Sequence, residues 1–161
     1  MTRIALLALA LTLGSACVAD AAPGPGGSIS PRAGDWSYAE TTQVSSTCSR
    51  NIPHGQGGSF EIDQVSASSF RIVPADSTAP FTCTTRGAKF SCPNRASFVM
   101  DLRPSVDATI TVHATATGTF SDATHATGNQ QATVDCTGSQ CAMVGPLPCK
   151  FAVNFEIHAG D

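Results

Sequence analysis

Beyond residue 33 the chain alternates apolar and polar side chains with a period of two, and no segment carries the 3.6-residue period of an amphipathic helix. The longest run is 108–120. Ala108, Ile110, Val112, Ala114, Ala116, Gly118 and Phe120 fall on one face, and Thr109, Thr111, His113, Thr115, Thr117 and Thr119 on the other. A second run, 124–136, follows Ser121, Asp122 and Ala123. A three-residue loop pairs Phe120 with Thr124 and Ile110 with Val134, so 108–136 is predicted as one long hairpin, apolar inside and Thr-rich outside. Further strands are predicted at 36–48, 60–65, 69–74, 98–102 and 150–158, with 81–92 as a tighter hairpin around Gly87 and Ala88. In the first of these, Trp36, Tyr38, Glu40 and Val44 share the inward face.

About eight short strands in sequential order predict an all-β domain, a single antiparallel up-and-down β-barrel, with a β-sandwich built from the same strands as the alternative. Small residues at Ala114, Ala116 and Gly118 let the inner face of the long hairpin curl and leave room inside.

The first 33 residues break this pattern. Arg3 is followed by an apolar run over 4–13 and then by small residues, the order of a secretory signal peptide. The run is shorter than the roughly 20 residues that span a bilayer. Ala19, Asp20 and Ala21 form an A-x-A cleavage site, which makes 1–21 the leader. A rival site precedes Cys17, where residues 13–16 look like a lipoprotein box and Cys17 becomes the lipidated residue. The Pro- and Gly-rich stretch 22–33 reads as a flexible spacer, leaving 34–161 as the barrel domain.

Removing Cys17 leaves six cysteines: Cys48, Cys83, Cys92, Cys136, Cys141 and Cys149. An even set in an exported chain predicts a disulfide framework and an extracytoplasmic location, secreted, periplasmic or lipid-anchored. The turn at 87–88 sets Cys83 opposite Cys92, and four residues separate Cys136 from Cys141. Cys48 ends the first strand and Cys149 precedes the last. In an even-stranded meander these strands pair, so Cys48–Cys149 is predicted to close the barrel, contributing on the order of 4 kcal/mol.

Charge adds mainly exclusions. Charged residues make up 13% of the chain and the formal net charge is −3. With no basic run and a single Trp and Tyr, a nucleic-acid groove is excluded. No later stretch is apolar enough for a transmembrane segment. Six paired cysteines leave no thiol nucleophile and no thiolate metal site. His54, His113, His125 and His158 lack metal-motif spacing, and His113 and His125 fall on the outward face, so no metal is assigned. No G-x-S-x-G elbow occurs, and the carboxylates Glu40, Glu61, Asp101 and Glu156 form no recognisable catalytic pair. Thr ranks on one hairpin are what any exposed strand favours, rather than an ice-binding array. Glu40 stands out: inside a barrel it anchors a ligand, pairs with Arg50, Arg71 or Arg103, or sits where the strand has left the core.

Gly34, Asp35 and Trp36, at the start of the first strand of a small meander, form a G-x-W that resembles the calycins, the lipocalin and avidin group of secreted barrels. The resemblance implies that Trp36 closes one end of a barrel whose interior takes a small apolar molecule. The chain departs from lipocalins in lacking a C-terminal helix and from avidins in having one Trp. The expected function is therefore an exported, non-enzymatic binding module without cofactor. Its interior site is expected at Trp36, Tyr38, Glu40, Phe60, Phe120 and Phe155. The second expectation is an envelope or surface interaction domain, partnered by another envelope protein, whose core is filled by its own side chains.

Overall fold

The computed structural model describes residues 27–49, 56–76 and 78–160. The leader, Cys17 and the first part of the expected spacer lie outside the described residues. Eight strands form one closed antiparallel barrel in sequence order. They are β1 (Gly34–Ser46), β2 (Gly57–Asp63), β3 (Ser69–Pro74), β4 (Phe81–Arg86), β5 (Lys89–Asp101), β6 (Thr109–Phe120), β7 (His125–Thr137) and β8 (Cys149–Ala159). The barrel closes where β1 pairs with β8, from Trp36↔Ala159 to Ser46↔Phe151. One helical turn, α1 (Cys141–Val144), interrupts the β7–β8 connection.

Each of the three predicted disulfides is present: Cys48–Cys149, Cys83–Cys92 and Cys136–Cys141. The alternation that predicted the strands also predicts their faces, because closure of the sheet leaves one side for the core and one for water. Trp36, Ile62, Phe70, Phe90, Phe120, Phe155 and Ile157 are all buried within one cluster.

Three details depart from the sequence reading. The β6–β7 register pairs Phe120 with Ala126 and Ile110 with Cys136, two residues away from the predicted pairing. A two-residue shift preserves facing, so the inward and outward sets stand. Residues 98–102 are not a separate strand: 98–101 continue β5, which carries irregularities between Cys92 and Arg95 and between Ala96 and Phe98. Pro93 lies in the first of these, where a missing N–H is tolerated. In β1, irregularities between Glu40 and Thr42 and between Gln43 and Ser45 invert the alternation. Gln43 lies opposite buried Val153, while Val44 is turned outward and 57% exposed. Val44 therefore does not share the inward face of Trp36.

The end of the expected spacer lies against the barrel. Pro31 is buried, the Arg32 amide donates to the Ala123 carbonyl at 2.7 Å, and the Trp36 indole Nε1 donates to the Arg32 carbonyl at 2.9 Å. Trp36 and residues 29–32 thus close the end of the barrel that carries the β6–β7 turn.

Candidate functional site: the barrel interior

The interior divides along the barrel axis. At the Trp36 end the space between strands is taken by aromatic rings. Phe90 and Phe120 have centroids 5.0 Å apart, Phe70 lies 5.7 Å from Phe120 and 5.8 Å from Phe90, and Trp36 meets Phe120 edge-on at 6.3 Å. A facing pair of glycines makes this density possible. Gly118 and Gly128 are register partners pointing inward, and a Cβ on either would run into the ring of Phe90 or Phe155 respectively. Glycine is required here for close approach, not for backbone conformation.

Towards the end closed by Cys48–Cys149 the inward residues change character. Tyr38, Glu40, Phe81 and Arg95 face inward yet remain only half-buried. The Tyr38 hydroxyl donates to Glu40 Oε1 at 3.3 Å. Burial, then the neighbouring Glu40 carboxylate, pushes the Tyr38 phenol well above its ordinary value. Arg95, opposite buried Ala114 on β6, lays its guanidinium 3.9 Å from the centroid of the Phe81 ring. Burial lowers the pKa of Arg95, with Asp76 acting in the opposite sense. Among the described residues the Arg95 guanidinium has no hydrogen bond or ion pair. Further out on the same inner face, Phe98 and Met100, opposite Val112 and Ile110, are 48% and 42% exposed. They are uncovered because β3 and β4 are short, six residues each, and stop below this part of β5.

The six residues expected to form the site therefore do not form one surface. Trp36, Phe120 and Phe155 belong to the packed half, with Phe60 stacked on Trp36 at 6.4 Å. Tyr38 and Glu40 belong to the half-open part, Tyr38 lying 5.4 Å from Phe155 where the two halves meet. Of the partners weighed for Glu40, Arg71 is engaged by Asp63 and Arg103 by Asp101, and Arg50 lies outside the described residues. Arg95 was missed because strict alternation from Cys92 puts Asn94 inside. The signal available was Pro93, which marks a break in phase.

Compared with known proteins, the chain matches no family model, no curated protein and no solved structure. The site must be read from its own geometry. Besides the interior, two open grooves lie on the outer wall, one beside His113, Gln131 and Lys150 and one beside α1 and Pro146. Outside the barrel, His125, Glu156 and His158 also converge, their ligand-capable atoms within 4.8 Å of one another. No helix among the described residues is long and apolar enough to cross a membrane.

Proposed function

We propose that this chain is an exported, non-enzymatic binding barrel that takes a small molecule with an apolar body and an anionic end in the half of its interior towards the Cys48–Cys149 bridge. One observation carries the reading: Arg95 is an inward, half-buried guanidinium stacked on Phe81 and lacking an ion-pair partner among the described residues. A guanidinium partly removed from water is costly unless an anion or a set of acceptors meets it. Phe98 and Met100, exposed on the same inner face, suit the apolar body. Export is supported by the three disulfides, which persist in oxidising compartments. The closed meander is compatible with the calycin likeness carried by Gly34, Asp35 and Trp36. The packed rings at the Trp36 end favour a second reading, an envelope interaction domain whose barrel is filled by its own side chains.

The two readings separate on one titration. Anilinonaphthalene sulfonate has an apolar body and one anionic group. The native protein is expected to bind it with enhanced emission, and long-chain carboxylates are expected to displace it more strongly than the matching alcohols. Arg95→Met should weaken binding at least tenfold, since a hydrogen bond to a charged group contributes about 1.5–3 kcal/mol. Binding that is absent, or indifferent to Arg95→Met, selects the filled-core reading.

A further inference from the structure

The outer wall beside the Trp36 end carries a second constellation, independent of the interior. His125 is the first residue of β7 and lies directly opposite His158 on β8. Their rings stack with centroids 4.4 Å apart and planes 16° from parallel. Glu156, two residues before His158 and on the same face, brings Oε2 to 3.8 Å from His158 Nε2. Among the described residues this is a group of two imidazoles and one carboxylate in which each side chain offers one ligand atom.

The hydrogen bonding around His125 decides which nitrogen is available. Its Nδ1 lies 2.9 Å from Ser121 Oγ. The other partners of that hydroxyl are the His125 carbonyl at 3.2 Å and Asp122 Oδ2 at 3.3 Å, both acceptors. In the tautomer that carries its proton on Nδ1, His125 donates to Ser121 Oγ while the Ser121 proton serves one of these acceptors. That tautomer leaves Nε2 with its lone pair. That atom is buried and has no hydrogen-bond partner among the described residues. Buried polar atoms nearly always have a partner, and one without calls for a water or an ion. Fixing the far ring N–H with a side-chain oxygen is also how proteins orient a metal-binding imidazole.

We propose that His125 Nε2, His158 and Glu156 form a binding site for a divalent transition-metal ion, with Zn²⁺ the best match. Two imidazoles and a carboxylate are one of the three-ligand donor sets that zinc uses, with a fourth position open to water. Bonds of about 2.0–2.2 Å place tetrahedral ligand atoms roughly 3.3 Å apart. The present span of 4.8 Å closes to that through rotation of the exposed His158 ring and the half-exposed Glu156. The sequence hides the site because its ligands do not lie in one motif. Glu156 and His158 form an E-x-H on β8, and only the β7–β8 register delivers His125 to them.

The test is calorimetric titration of Zn²⁺ into the processed protein in chelator-free buffer, with Co²⁺ substitution read by visible absorption. One ion per chain is expected, with four- or five-coordinate Co²⁺ bands and a shift in the Nε2 nitrogen resonances of His125 and His158 but not of His113. His125→Ala and His158→Ala should each lower affinity at least tenfold, and Ser121→Ala about tenfold through the lost orientation of His125. His113→Ala should leave it unchanged. Trp36 emission confirms that each variant is folded. Absence of binding at 1 mM Zn²⁺, or affinity unchanged in a folded His125→Ala/His158→Ala double variant, overturns the site. Neither result depends on Arg95, so failure here leaves the interior reading standing.

Discussion

The two ends of the barrel solve the problem of an open cylinder in different ways. At the Trp36 end, rings and a docked N-terminal segment exclude water, and Trp36 is only 2% exposed. At the other end, two disulfides join neighbouring segments while the inward residues, polar and apolar alike, stay half-open. Apolar burial, at about 25 cal/mol per Å², supplies the first end. Restriction of the unfolded chain supplies the second. Stability at one end can therefore coexist with an accessible interior at the other.

The largest expected effect comes from the packed end. Trp36→Ala should cost about 3–5 kcal/mol in denaturant unfolding, whereas Phe98→Ala, at a side chain 48% exposed, should cost under about 1 kcal/mol. Equal losses would mean that the mouth is packed as tightly as the closed end. Next comes the bridge. Replacing Cys48 and Cys149 together by Ser should cost about 2–5 kcal/mol, and replacing Cys136 and Cys141 nearer 2, because the enclosed loop is so much shorter. A reversed order would assign the stabilisation to native contacts instead of chain entropy. Gly128→Ala should then lose about 1–3 kcal/mol by driving a methyl against Phe155 and the Thr117 carbonyl, while Gly58→Ala, with open space around it, should be near neutral. Matching values for the two glycines would contradict the packing difference.

The smallest signal sharpens the boundary between the halves. Tyr38 is the chain's only tyrosine, so tyrosinate absorbance reads it alone. Its folded pKa is raised, which makes its contribution to stability complete below the unfolded value near 10 and lost as pH rises above it. The native protein should show no tyrosinate at pH 10, and the unfolded protein should titrate there. Ordinary titration in the native state would mean that water reaches the phenol freely.

Most of the fold was legible because closing the sheet makes facing a two-valued property, and period two survives even a two-residue error in register. The disulfides followed from the order of the strands. Illegible were the irregularities in β1 and β5, where one extra residue reverses the facing until the next irregularity restores it. Glu40 was placed inside because it precedes the first irregularity. Val44 was misplaced because it follows it, and Arg95 escaped notice for the same reason. His125, Glu156 and His158 were visible individually but unconnected, since cross-strand neighbours depend on register rather than spacing.

The Cys48–Cys149 bridge has a further consequence, for folding rate. Pairing β1 with β8 joins the two ends of the domain, the most distant contact the topology demands and, for a reduced chain, the slowest to find. The bridge links residues separated by 101 positions, and Ser46 meets Phe151 only two residues beyond it on either side. Measured along the covalent graph instead of the backbone, β1 and β8 become the arms of a hairpin whose turn is a disulfide. Once that bond forms, the seam can zip from its bridged end towards Trp36 as a local event, and the last strand reaches the first without a search through the whole chain.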